Sequence, residues 1–61
     1  MILLGVGDTH PLVGHLKRRL GVYPSDDYFS EALADRIRGT QRMLGMEITG
    51  LIEDELVEKV L

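Results

Sequence analysis

Apolar side chains recur at helical spacing in three stretches of the chain, and short polar segments separate these stretches. In the first of them, Val13, Leu16 and Leu20 stand at positions i, i+3 and i+7. Residues with this spacing share one face of an α-helix. Each stretch is therefore predicted to be a short amphipathic helix, and the three predicted helices cover about residues 10–20, 30–44 and 53–61.

Residues that cap helices support these boundaries. Pro11 suits the first turn of the first helix, and one of Asp8 to His10 is expected to cap it. Gly21 is typical of the residue that ends a helix, and Ser30 is a good N-cap for the second one. Gly39 lies inside the second helix, where glycine costs about 1 kcal/mol relative to alanine. We therefore expect Gly39 to permit a close packing contact.

An apolar arm over residues 1–7 precedes the first helix. It has no cationic start and is too short for a signal peptide, and no stretch of the chain approaches the roughly 18 apolar residues of a membrane span. No heptad pattern persists that would indicate a coiled coil. The predicted fold is all-α, a compact orthogonal three-helix bundle with a short N-terminal extended arm, in one domain over residues 1–61.

Composition and charge narrow the possible partners. The chain has 61 residues and no cysteine, which excludes disulfides and thiolate metal sites. Its net charge is -3. A mildly acidic domain is a poor candidate for binding nucleic acid or an anionic membrane surface, because both interactions depend on basic side chains.

Few residues have a spacing that suits catalysis or metal binding. His10 and His15 lie five positions apart, which places them on different sides of a helix, with no third ligand nearby. Asp26 and Asp27 are more typical of a turn than of an acid–base pair, and the serines have no evident base partner. We therefore predict a protein that is not an enzyme, with no catalytic residue, metal site or cofactor.

The order of short motifs along the chain carries a family resemblance. These motifs are Gly7-Asp8, Val13-x-x-Leu16-Lys17-x-x-Leu20-Gly21, Asp26-Asp27-Tyr28-Phe29-Ser30, Thr40-Gln41 and Thr49-Gly50-Leu51-Ile52. In this order and spacing, from Leu4 to Leu61, the chain resembles the peptidoglycan-binding-like domains, which are three-helix modules of cell-wall hydrolases. The resemblance implies a non-catalytic module that binds peptidoglycan, and a stand-alone version encoded by a phage is one form such a module could take.

Several positions depart from the pattern of that family. Lys17 stands where the family has glutamine, Leu33 and Thr40 replace a threonine and a phenylalanine, and the third helix has Leu56 and Val57 in place of its usual threonine and tryptophan. These changes leave the fold plausible, but they alter the polar and aromatic positions that would carry ligand binding.

Candidate ligand-binding residues come from the aromatic, acidic and basic positions near the predicted loops and the second helix. A tyrosine ring can stack on a sugar, and arginines can bind the carboxylates of a wall peptide or an acidic partner protein. The same side chains would also suit the edge of a small core and a solvated helix face. The predicted ligand-binding set is Tyr23, Asp27, Tyr28, Arg38 and Gln41.

The arm suggests an alternative function. Met1, Ile2 and Leu3 precede the usual start of the module, and exposed apolar residues there would suit docking into a partner, although packing on the chain's own core is equally expected. The chain begins with methionine and contains no hydrolase domain, which favours a structural subunit that reuses the fold. Such a subunit could be a capsid decoration or tail protein of a phage virion. The expected location is then the virion, or the cell wall if the family function is kept.

Overall fold

The computed structural model describes residues 1–61. Two short strands and three helices follow one another as β1 (Leu3–Leu4), α1 (Pro11–Leu20), α2 (Glu31–Met43), β2 (Ile52–Glu53) and α3 (Asp54–Val60). Each helix begins and ends within one residue of its predicted bounds. The longest helix has 13 residues, and none is long and apolar enough to cross a membrane.

The prediction of an all-α fold is wrong, because the arm forms a two-stranded antiparallel sheet with the segment before α3. Leu3 pairs with Glu53, and Leu4 pairs with Ile52. An extended arm lying on the core carries backbone N–H and C=O groups that need partners, and β2 supplies them. Side chains alternate across a strand, so Leu4 packs against the core while Leu3 points outward and stays exposed.

Local hydrogen bonds begin and end the helices as the sequence predicts. The His10 side chain caps α1, since its Nδ1 accepts a hydrogen bond from the Leu12 backbone N–H at 3.0 Å. The Ser30 hydroxyl accepts one from the Leu33 N–H at 3.3 Å and caps α2. Gly21 ends α1 in the left-handed conformation, with φ of 74°.

A single apolar core lies between the helices and the sheet. The Phe29 side chain is buried there, and its backbone is fixed by two hydrogen bonds, from Gly7 N–H to its carbonyl and from its own N–H to the Asp8 carbonyl. These bonds attach the loop before α2 to the segment before α1. The buried apolar residues are Val13, Leu16, Val22, Phe29, Leu33, Ala34, Ile37, Ile52 and Leu56.

Candidate binding surfaces

The two tyrosines and the aspartate of the predicted ligand set lie in or beside the loop between α1 and α2. Tyr23 and Tyr28 are exposed, and the backbone of Tyr28 pairs with that of Thr9. The Asp27 carbonyl accepts a hydrogen bond from the His10 N–H, and its carboxylate lies so close over Gly14 that a Cβ there would clash. All three side chains remain accessible to a ligand.

Gln41 has a different role, because it is fully buried and its side-chain amide is occupied within the protein. Its Oε1 accepts hydrogen bonds from the Thr49 N–H at 2.9 Å and the Gly50 N–H at 3.0 Å. Its Nε2 donates to the Thr49 hydroxyl at 3.0 Å. Gln41 therefore fixes the turn before β2 and cannot contact an external ligand, so it leaves the proposed ligand set.

Arg38 lies over the same turn and is already paired. One of its guanidinium nitrogens donates to the Asp35 carboxylate at 2.7 Å. Its Nε would be 2.9 Å from a Cβ at Gly50, whose φ is 73°. Only glycine combines this left-handed backbone with so close an approach of the arginine. The guanidinium of Arg38 therefore covers the turn and is only partly available to a ligand.

Lys17 is buried along its stem and forms an ion pair with Asp26, an exposed residue, that the sequence did not predict. Its side chain is 2% exposed, and its Nζ lies 2.6 Å from Oδ1 of Asp26. The hydrogen bond from Lys17, and then that from the Tyr28 N–H, hold the pKa of Asp26 below its ordinary value of 3.8. The signal was present in the sequence, because Lys17 stands four residues after Val13, on the apolar face of α1.

A groove of about 380 Å³ separates the end of α1 from α2. We call it the α1–α2 groove, and its lining residues are Arg19, Leu20, Asp35, Arg36, Gly39, Thr40 and Met43. A Cβ added at Gly39 would meet no atom within 4 Å. The expectation that Gly39 permits a close packing contact is therefore wrong, and this glycine instead keeps the groove open.

The α1–α2 groove has two arginines, Arg19 and Arg36, and one carboxylate, that of Asp35, among its lining residues. The chain has two ion pairs, Lys17–Asp26 and Arg38–Asp35. Asp35 is thus already occupied, whereas Arg36 has no carboxylate within ion-pair distance. Arg19 has none either, and its Nε donates to the Val60 carbonyl at 3.0 Å. Two guanidinium groups therefore face the groove with hydrogen-bond donors to spare.

A second cavity, of about 300 Å³, lies beside the arm. We call its lining the arm surface, which comprises Met1, Ile2, Leu3, Glu53, Asp54 and Glu55. Ile2 is held inside, because its side chain packs against the core and its N–H donates to the Asp54 carboxylate at 2.9 Å. Met1 is fully exposed and Leu3 is 63% exposed. Of the three predicted docking residues, only these two are available to a partner.

The remaining titratable side chains have local roles. His15 is exposed, and its Nδ1 lies 3.2 Å from a guanidinium nitrogen of Arg18. No three histidine, aspartate or glutamate side chains lie close enough together to hold a metal ion.

No protein-family model, curated protein or solved structure matches the chain. The resemblance to peptidoglycan-binding-like domains therefore stays a prediction from the order of residues.

Proposed function

We propose that the chain is a non-catalytic binding module whose α1–α2 groove holds a carboxylate group of a peptidoglycan stem peptide. The observation that carries the proposal is the pair of guanidinium groups, Arg19 and Arg36, that face one groove without a carboxylate partner. Arginine binds carboxylates with short, directional, charge-assisted hydrogen bonds. A peptide with a free carboxylate supplies a negative charge that can pair with these two guanidinium groups.

The other lining residues suit a short peptide. Leu20 and Met43 offer apolar contacts for small side chains such as alanine, and the open floor at Gly39 leaves room for a backbone. A volume of about 380 Å³ falls within the range of small-ligand pockets. The sequence resemblance to peptidoglycan-binding-like domains adds support that is independent of the groove.

The glycan strand would contact a different part of the module. Tyr23 and Tyr28 present exposed rings that can stack on sugars, and the Asp27 carboxylate can accept hydrogen bonds from sugar hydroxyls. None of these three residues lines the α1–α2 groove. We therefore assign the peptide to the groove and the sugars to the loop before α2.

Binding to purified peptidoglycan sacculi tests this proposal. We expect Arg36→Ala to weaken binding about tenfold at about 0.15 M salt, because it removes one charge-assisted carboxylate contact. Gly39→Leu should abolish binding by filling the groove, while the helix gains stability from losing a glycine. The fraction of protein that pellets with the sacculi, measured across protein concentrations, gives the affinities.

Arg42→Ala is the matched control, because Arg42 is an exposed arginine on the same helix that does not line the groove. It makes the same change in net charge as Arg36→Ala, and its binding should stay within about twofold of the original protein. Wild-type protein that does not pellet with sacculi at this salt would contradict wall binding. Equal binding by Gly39→Leu would contradict the groove as the site.

A second candidate function is favoured by the arm surface. The exposed side chains of Met1 and Leu3 lie beside three carboxylates, an arrangement that suits a protein contact more than a wall ligand. The chain would then be a small structural subunit, such as a capsid decoration or tail protein of a phage virion. Loss of partner binding in Leu3→Ser with sacculus binding unchanged would favour this role.

A further inference from the structure

The arm surface and the α1–α2 groove are complementary in both charge and apolar character. The arm surface presents Met1 and Leu3 next to the carboxylates of residues 53–55. The groove presents Met43 and the guanidinium groups of Arg19 and Arg36, and its one carboxylate, that of Asp35, is already paired with Arg38. Met43 is 89% exposed, so each surface leaves an apolar side chain in water that the other could cover.

The two surfaces lie at opposite ends of α3. Glu53, Asp54 and Glu55 belong to the arm surface and stand at the start of this helix. Arg19 lines the groove and donates a hydrogen bond to the Val60 carbonyl, at the end of the same helix. One copy of the chain can therefore use both surfaces at once, each toward a different neighbour.

We propose that the chain associates head to tail, with the arm surface of one copy seated in the α1–α2 groove of the next. The apolar side chains of Met1 and Leu3 cover Leu20 and Met43, and the carboxylates of the arm meet the guanidinium groups of the groove. Because different patches meet, the contact is heterologous, and repeating it gives rings or filaments rather than a two-fold dimer. This inference deepens the second candidate function by naming a second copy as a partner, and it does not depend on wall binding.

The contact is small, so the isolated chain should associate only weakly. Each side contributes a few side chains, far fewer than the 20 to 30 residues of a standard stable interface. We expect a dissociation constant of about 0.1–1 mM, because interfaces at the small end of the range are transient. Added salt should weaken the association, since the charges are exposed. On a larger assembly, high local concentration would compensate for the weak contact.

Sedimentation velocity with two variants and their mixture tests the proposal. The groove variant is Arg36→Glu, and the arm variant combines Leu3→Ser with Glu55→Gln. Neither variant touches a buried residue, and Glu55 makes no hydrogen bond or ion pair within the chain. We expect the average mass of the wild type to rise with concentration above about 0.1 mM, beyond that of a dimer. Each variant alone should stay monomeric.

An equimolar mixture of the two variants gives the decisive result. It contains one intact arm surface and one intact groove, on different chains, so it should form a 1:1 dimer that cannot grow further. Met43 stays unchanged in both variants, and circular dichroism checks that both are folded. A mixture that stays monomeric would overturn the proposal, and so would a wild type that remains monomeric at about 2–3 mM, two to three times the upper limit of the expected dissociation constant.

The same variants separate this inference from wall binding. The arm variant keeps the groove, so it should lose self-association while still pelleting with sacculi if both proposals hold. If the wild type does not bind sacculi but the two variants still form the 1:1 dimer, only the first proposed function is contradicted. If the wild type binds sacculi but stays monomeric, only the proposed head-to-tail contact is contradicted.

Discussion

Replacing Gln41 with leucine is expected to lower the free energy of unfolding by about 3 kcal/mol, because two backbone N–H groups lose their acceptor in a site closed to water. Those groups belong to Thr49 and Gly50, and Gly50 is itself buried. A domain of 61 residues has a total stability of about 3–9 kcal/mol. The variant should therefore keep no more than about 6 kcal/mol of that stability and unfold at a lower urea concentration than the wild type. Urea unfolding followed by circular dichroism measures the loss.

Two further variants show whether the hydrogen bonds themselves carry the effect. Arg42→Leu introduces the same side chain at the next, exposed position and should change stability by about 0.5 kcal/mol or less. Gln41→Glu keeps an acceptor for both N–H groups but loses the donor to Thr49. Its stability should therefore fall between that of Gln41→Leu and that of Arg42→Leu. Equal stability of Gln41→Leu and the wild type would contradict the structural role of Gln41.

The second large effect concerns Lys17, the largest fully buried side chain of the chain by volume. Lys17→Ala should cost about 2 kcal/mol, because it leaves a cavity where the methylene stem packed. Lys17→Met keeps most of that volume and removes the buried charge, so it should cost about 1 kcal/mol or less. Urea unfolding of both variants at pH 7 makes the comparison. Equal losses in the two variants, which both lack the ion pair, would show that the ion pair outweighs packing.

The pH dependence of stability isolates the ionic part of this contact. Because Lys17 and the Tyr28 N–H lower the pKa of Asp26 in the folded state, the stabilisation is fully present above the unfolded value of 3.8. It is lost as the pH falls through the lower folded pKa. Between pH 7 and 3, the wild type should therefore lose more stability than Lys17→Met, which lacks the main cause of the shift. Parallel curves for the two proteins would contradict this account.

The helices could be predicted from the sequence because their signals are local. His10, Ser30 and Gly21 act within a few residues of their own positions, as a capping side chain or a left-handed stop. The sheet could not be predicted in this way, because Leu3 finds its partner Glu53 only after the intervening chain has folded. Two-residue strands are too short for an alternating pattern to stand out.

The buried partners of Gln41 and Lys17 were not predicted, because they too depend on contacts between distant parts of the chain. Gln41 and Lys17 each stand four residues after a core residue, Ile37 and Val13, so the helical pattern itself places them inward. A polar residue at such a position points to a buried partner, and here the partners are the turn at 49–50 and the carboxylate of Asp26. Which turn or carboxylate meets each side chain is a property of the tertiary fold.

For the candidate site, the sequence could predict the type of ligand, a carboxylate, but not which residues form the groove. Arginines along the second helix predict a site that binds carboxylates. Which arginines meet in one groove, Arg19 with Arg36, depends on how α1 packs against α2. The pairing of Arg38 with Asp35 removes one predicted candidate from that site for the same reason.

The small sheet also bears on how the molecule opens. Its strands join distant parts of the chain, since Leu3 pairs with Glu53. Closing so long a loop costs less once α1 and α2 have shortened the intervening chain, so β1 should dock late in folding. With only two residues per strand, it should also open before the helices do. The arm can therefore detach briefly while the core stays intact, and its amide protons would exchange with solvent faster than those of α2.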